Sequence, residues 1–420
     1  MTLANIPSSV DDIQQVAVIG AGTMGRGIAI SFANAGIKVT LLDLNEDVRN
    51  QALSYIQGIY AGMVKRERIT QEQADERLAC FQLSGEYADI ADVQLAIEAV
   101  YENIDLKKTI FKQLDETLNP AAILATNTSY LDVDAIAAAT SRPEQVLGLH
   151  FFSPAHIMKL LEIVRGEKTA PQVLALTEAL GQHIGKVAVV AGNCHGFIGN
   201  RMLEPYVFQA RRLLLEGALP AQVDAALQGF GMAMGPFRMY DVVGIDLEWR
   251  SRQLSGTELP EGSPEELNVR IDNQLCEQER FGQKSGQGYY RYEKGSREAI
   301  VDESVEAMVV ATSEQAGFER RAIGDEEIID RCILALVNEG ARILEEGIAR
   351  NSADIDKVYL NGYGFPKERG GPMAYADECG LANILDRTEA LAEKFGDACA
   401  PAPLLKTLAE RGGKFSDITN

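Results

Sequence analysis

Several things are scarce in this chain of 420 residues, and each scarcity narrows what it does. Its six cysteines (Cys80, Cys194, Cys276, Cys332, Cys379 and Cys399) include no C-x-x-C pair. That suits neither a disulfide framework nor a zinc site, so a reducing compartment is expected. Basic residues are outnumbered, 40 Lys and Arg against 61 Asp and Glu, for a net charge of −21. Nucleic acid and anionic membrane surfaces are therefore disfavoured as partners. An anionic small ligand is not excluded, because a helix N-terminus or a local basic patch overrides the global sign. No run of about 18 apolar residues occurs, so no segment is expected to span a membrane. The opening MTLANIPSSVDDIQQ lacks a basic flank before an apolar core, and the closing SDITN is no peroxisomal address. The cytosol is the expected compartment. Histidine is rare too, with only His150, His156, His183 and His195, and no spacing offers a credible metal site.

What remains is an ordinary globular composition, 46% apolar and 24% charged, in a chain long enough for two or three domains. From about residue 14, short β-branched runs alternate with helical patterns: VAVIG, VTLLD, LAIEAV, AAILAT, QVLGLHF, KLLEIV and VAVV. Strands separated by helices predict a parallel sheet covered on both faces, an α/β Rossmann-type domain over 1–192. A charged helix-favouring segment, 46–80, interrupts it as an inserted helical hairpin. Beyond 195 the apolar spacing is helical, notably over 198–228 and 324–350, and the region is expected to be all-α. The polar stretches 250–270 and 291–320 read as loops or linkers.

The two helical stretches repeat one another. Glu216-Gly217 and Glu346-Gly347 are followed by Asp224 and Asp356, then G-[FY]-G, then Pro236 and Pro372. Asp241 and Asp377 come five residues later, and Gly244 and Gly380 three beyond those. This predicts two copies of one helical unit, 193–295 and 296–420.

Gly20, Gly22 and Gly25 form G-x-G-x-x-G between a strand-like and a helix-like run. In that context one glycine makes the turn, one admits a pyrophosphate and one permits close helix–strand packing. Thr23 and Met24 lie inside the loop-to-helix turn. Asp43 ends the next strand, placed for a ribose diol, and its charge favours NAD over NADP.

Hydride transfer to such a cofactor needs a base for the hydroxyl proton, and His is the usual one. His150 ends a strand-like run before the loop FFSP, where ligands bind in these sheets. Glu162 follows in KLLEIV, on a neighbouring strand, within reach of the imidazole. Taken alone, His150 reads equally as a satisfied buried histidine, Glu162 as an edge-strand charge and Ser129 as a helix cap. Asn200 reads as a helix bridge, and Lys65 and Arg66 as a solvated helix face. His195 beside Cys194 does not read as a nucleophilic pair, since adjacent side chains seldom face one another.

At VAVIGAGTMGRGIA, EAVYENIDLK, ATNTSYL, GLHFFSPAHIMKLLEIV, GFIGNRM, KSGQGYY and the Gly-Pro blocks, the chain resembles the L-3-hydroxyacyl-CoA dehydrogenase family of fatty-acid β-oxidation. The resemblance runs over nearly the whole sequence. It implies NAD-dependent oxidation of a 3-hydroxyacyl-CoA, with His150 as base, Glu162 as its carboxylate partner, and Ser129 and Asn200 holding the reacting oxygen. It implies that Glu102, Lys107 and Asn127 line the cofactor site and that Lys65 and Arg66 meet coenzyme A. The tandem helical units resemble the dehydrogenase part of multifunctional β-oxidation enzymes, and a monofunctional dehydrogenase is expected. A monomer is favoured, with a homodimer as the alternative, and transient contact with a hydratase or thiolase is a further expectation. Two other readings remain: a dehydrogenase of a free hydroxy acid, and a non-catalytic NAD-binding scaffold subunit.

Overall fold

A computed structural model describes residues 6–419; the first five residues of the opening segment and Asn420 of SDITN lie outside them. The chain packs as two compact units. One takes the chain up to Asn200 together with Ile343–Tyr363, and the other joins Arg201–Arg342 to Gly364–Ile418.

The first unit is built on eight strands: β1 (Gln15–Ile19), β2 (Lys38–Leu42), β3 (Phe81–Ser84), β4 (Leu95–Glu98), β5 (Ile123–Thr126), β6 (Val146–Phe151), β7 (Leu160–Arg165) and β8 (Val187–Gly192). Their order in the sheet is β3-β2-β1-β4-β5-β6-β7-β8, so the winding reverses between β1 and β4. Alternate residues face opposite sides, and both sides are covered, which gives the doubly wound Rossmann arrangement. One face buries Val16, Val18, Leu41, Ile97 and Leu149 under α1 (Thr23–Asn34), α2 (Glu46–Lys65), α3 (Gln71–Leu78) and, later in the chain, a helix over Pro171–His183. The other buries Ala17, Ile19, Ala96, Leu124 and Val146 under α4 (Ile104–Thr117) and α5 (Val133–Ala137). The Pro171–His183 helix is α6. Between β2 and β3 the chain forms α2 and α3, capped by the Asn45 and Thr70 side chains.

The sheet departs from the all-parallel expectation at one pair. β6 and β7 run antiparallel. Residues 152–159 between them hold no helix. A parallel return needs a crossover of about a dozen residues or more, so this connection can only double back. At the far edge, Gly192 donates its N–H to the Ile348 carbonyl at 2.7 Å, and Ala191 bridges Ala349. A segment from the C-terminal half thus covers an otherwise open strand edge.

The helices that follow are α7 (Gly199–Glu216), α8 (Pro220–Phe230), α9 (Pro236–Val243), α10 (Asp246–Ser255), α11 (Pro264–Glu277), α12 (Glu303–Gln315), α13 (Asp325–Glu345), α14 (Ser352–Gly362), α15 (Pro372–Cys379), α16 (Leu381–Phe395) and α17 (Pro403–Arg411). Two expected loops therefore contain helix: α10 and α11 occupy most of 250–270, and α12 the middle of 291–320. Their apolar faces are thin and their remaining surfaces charged, so composition hid them. Packing of Val269, Ile271 and Leu275, and of Val305 and Val309, stabilises them in place. The region is mainly helical, with a two-residue ladder between β9 (Tyr290–Arg291) and β10 (Ile300–Val301) and a few isolated bridges.

The repeat is visible in hydrogen bonds. Asp241 in α9 accepts from two consecutive backbone N–H groups, of Tyr289 at 2.8 Å and Tyr290 at 2.9 Å. Asp377, its counterpart in α15, accepts from those of Phe415 at 2.7 Å and Ser416 at 3.0 Å. In both copies an aspartate clamps the segment that closes the unit.

Candidate active site

The glycine loop follows β1 at the point where strand order reverses, the position at which such sheets bind ligands. Gly20 has φ of +97°, and a Cβ there would lie 2.8 Å from the Ala99 carbonyl oxygen. A Cβ on Gly25 would fall 1.7 Å from the Gly20 carbonyl oxygen, so strand and helix meet only through glycine. Gly22 is different: nothing lies within 4 Å of the position its Cβ would take. No side chain caps the first turn of α1, which opens at exposed Thr23, while Met24 packs partly into the core. These donors and the open Gly22 face fit a pyrophosphate. Asp43 accepts from the Ala21 N–H and the Asn45 N–H, both at 2.9 Å, which ties the glycine loop to the end of β2. Each oxygen keeps a lone pair for a ribose hydroxyl.

At the other side of the sheet the antiparallel turn-back sets His150 directly opposite Glu162. His150 Nδ1 lies 2.9 Å from Glu162 Oε2, with the carboxylate fully buried and the imidazole 4% exposed. A carboxylate only accepts, so Nδ1 carries the hydrogen and Nε2 is left as an acceptor. Ser129 Oγ stands 3.1 Å from that Nε2. The other oxygen of Glu162 accepts from the N–H groups of Ile198 at 3.2 Å and Gly199 at 3.0 Å, at the start of α7. The positive end of that helix helps hold the buried negative charge. Asn127 braces the strand end, its Oδ1 accepting from the Phe151 N–H at 2.8 Å.

Three of the expected residues thus form one chain, Ser129–His150–Glu162. Asn200, the second residue of α7, does not bond His150 directly. Its Oδ1 accepts from the Tyr363 hydroxyl at 2.7 Å. Burial first, and then the charge of Glu162, push the Tyr363 pKa well above the usual tyrosine range, so this hydroxyl stays a donor.

Lys107 and Glu102 belong to a second network, beside the first. Lys107 has no exposed surface and is held by Glu98 at 2.8 and 2.9 Å and by Glu102 at 3.5 Å. Glu102 in turn accepts from the backbone N–H groups of Ser129 at 2.9 Å and Tyr130 at 3.2 Å. This network fixes the loop that carries Ser129. Lys65 ends α2 and Arg66 caps it, both exposed, with Arg66 Nε bonded to the Gly62 carbonyl at 2.9 Å.

Sequence reasoning missed four neighbours. Phe152 and Phe197 flank the imidazole, with ring centroids 4.4 and 5.6 Å from it. Phe197 has φ of +51°, an uncommon backbone for an aromatic, held by complete burial. Glu98 and Tyr363 are the others. Phe197 sits inside GFIGN and Tyr363 inside the repeated G-[FY]-G, but nothing local ties Tyr363 to Asn200. Among the described residues no group of three or more His, Cys, Asp or Glu is arranged to hold a metal ion.

Comparison with known proteins gives the family. The family model for the NAD-binding domain of 3-hydroxyacyl-CoA dehydrogenase matches residues 15–194. That for the family's C-terminal domain matches twice, at 196–292 and 328–416. A peroxisomal bifunctional enzyme of Danio rerio is 46% identical over 96% of this chain, and a fatty acid oxidation complex subunit alpha of a Psychrobacter species is 36% identical over 96%. The chain spans a little over half the length of those relatives, 57% and 56%. Among solved structures, the 3-hydroxybutyryl-CoA dehydrogenase of Escherichia coli K12 is similar at a TM-score of 0.81 and 29% identity, covering 95% of this chain and 99% of that one. The dehydrogenase part of multifunctional enzyme 1 from C. elegans is similar at 0.68 and 30% identity, covering 94% and 89%.

Proposed function

We propose that this chain, which belongs to the 3-hydroxyacyl-CoA dehydrogenase family, oxidises the 3-hydroxyl of an (S)-3-hydroxyacyl-CoA to the ketone, reversibly and with NAD. The observation that carries the reading is the buried Ser129–His150–Glu162 chain, whose acceptor nitrogen, facing the Ser129 hydroxyl, is the one a hydroxyl proton would need. His150 Nε2 takes the substrate's hydroxyl proton. Ser129 and Asn200 donate hydrogen bonds to the oxygen as it becomes a carbonyl. Glu162 stabilises the imidazolium that results and keeps its tautomer. NAD supplies the hydride acceptor, held by Gly20, Gly22, Thr23, Met24, Gly25 and Asp43. Glu102, Lys107 and Asn127 line the cofactor site at the reacting end, and their hydrogen bonds brace the loops there. Lys65 and Arg66, exposed at the end of α2, are our candidates for the phosphates of coenzyme A.

The three-part division at 192/193 and 295/296 goes with this reading, supported by the double match of the C-terminal family model. So does a monomer of 45.7 kDa, in which the second helical repeat stands in for a partner subunit. Light scattering at twice that mass would refute it. A cytosolic setting goes with this reading too, supported by cysteines scattered without a C-x-x-C pair. No helix among the described residues is long and apolar enough to cross a membrane.

The test is NADH formation with L-3-hydroxybutyryl-CoA and a long-chain homologue, for wild type and His150→Ala. Losing the base should slow turnover by roughly 10²- to 10⁴-fold. If the wild type oxidises a free 3-hydroxy acid as well as its thioester, coenzyme A is not recognised and the thioester reading is lost. If it binds NAD but oxidises neither, the scaffold reading replaces it.

A further inference from the structure

We infer that Tyr363 is a positioning residue for the Asn200 amide, so that the second helical repeat contributes directly to the reaction centre. This inference rests on the function proposed above.

Tyr363 immediately follows α14, more than 150 residues beyond Asn200 in sequence, yet its hydroxyl donates to Asn200 Oδ1 at 2.7 Å. An amide has an accepting end and a donating end, and nothing in its shape chooses between them. A tyrosine hydroxyl kept protonated chooses for it. With Oδ1 committed to Tyr363, Nδ2 and its two hydrogens are turned the other way. That is the end a substrate oxygen needs as negative charge grows on it during proton removal. In the opposite flip, carboxamide lone pairs would face that oxygen.

The tyrosine is closely seated for this task. Its ring meets Phe152 edge-on at 5.8 Å, and Phe152 in turn lies against the His150 imidazole. One turn earlier, Tyr359 stacks on it at 4.8 Å and donates to the Gly199 carbonyl at 3.2 Å. Two tyrosines four residues apart thus grip consecutive residues at the start of α7. A Cβ on Gly199 would fall 2.5 Å from the Tyr363 ring and hydroxyl, so only glycine lets the two backbones come this near. The segment leading into α14 is anchored to the sheet edge by the Gly192–Ile348 bond and to α6 by the Arg350–Glu178 ion pair at 2.5 Å. The packing would survive loss of the hydroxyl, because phenylalanine fills the same space. The hydrogen bond would not.

The experiment is therefore Tyr363→Phe, made in the wild type and in an Asn200→Ala background, with kcat and both KM values measured on L-3-hydroxybutyryl-CoA and NAD. We expect kcat to fall about five- to tenfold in the wild-type background, the range of one neutral hydrogen bond, with KM for NAD and the melting temperature held. In the Asn200→Ala background the same change should cost nothing further, because its target is gone. Tyr359→Phe is the control: it releases the Gly199 carbonyl without touching the amide and should leave kcat near wild type. An unchanged kcat in Tyr363→Phe overturns the inference. An equal loss in both backgrounds, or an equal loss in Tyr359→Phe, also overturns it, since the effect would then be one of helix docking. A wild type inert on the thioester refutes the proposed function itself. An active wild type with an unaffected Tyr363→Phe refutes this inference alone.

Discussion

His150 and Glu162 are direct cross-strand partners in the one antiparallel pair of an otherwise parallel eight-stranded sheet. Cross-strand partners present their side chains on the same face, close enough to touch. A one-residue slip of β7 would turn the carboxylate to the opposite face, so register, not only proximity, makes the pair.

Glu162→Gln should therefore leave the sheet intact but misorient the base. An amide can offer Nδ1 a donor instead of an acceptor, which favours the tautomer with Nε2 protonated and unable to take a proton. We expect kcat to fall by about 10²-fold or more with NAD binding retained, measured by steady-state kinetics beside NAD titration. A Gln variant with near wild-type kcat would remove Glu162 from the mechanism.

The glycine loop separates two kinds of requirement. Gly25→Ala places a methyl group into the Gly20 carbonyl and should destabilise the fold by about 1–3 kcal/mol, seen in thermal melts without ligand. Gly22→Ala meets no protein atom, so ligand-free stability should be unchanged while NAD affinity drops about tenfold or more. Equal NAD affinity in Gly22→Ala and wild type would argue that the phosphates lie elsewhere.

Lys107 neutralises two carboxylates, one of them fully buried. Lys107→Met leaves Glu98 as an unpaired charge in the core, a loss on the order of 3–5 kcal/mol for a buried pair broken on one side. Chemical denaturation should register it as lost stability. If instead the variant melts normally and only KM for NAD rises, Lys107 acts as a ligand contact.

Asp224 and Asp241 give the helical unit a pH signature. Burial pushes both carboxyls up from 3.8 to about 6, against hydrogen bonds from the Tyr290 hydroxyl and the Phe237 and Arg238 N–H groups to Asp224 that pull it down. The folded pKa exceeds the unfolded one, so the folded state holds these protons more tightly. Their stabilisation is complete below about pH 4 and fades as pH rises to about 6, at most roughly 3 kcal/mol for each group. Melting temperature should fall across that window, and Asp224→Asn, which cannot ionise, should flatten the fall. An identical slope in the variant would refute the assignment.

The sequence by itself determined the dinucleotide fold, because periods of two and near four, with glycines at a strand-to-helix turn, are short-range signals. It marked His150 and Glu162 by type and spacing, and the repeat by self-similarity. Those are properties of neighbours along the chain. Only the tertiary structure decided the direction of β7, which followed from the helix-free return over 152–159. It also buried Lys107 between Glu98 and Glu102, in the network that supports the Ser129 loop. It folded α11 and α12 out of charged sequence, where thin apolar faces become helices only once something packs on them. Above all it brought Tyr363 to Asn200, a contact with no local trace. The two residues are 163 positions apart, and the bond depends on a segment from the far half of the protein lying against a strand edge.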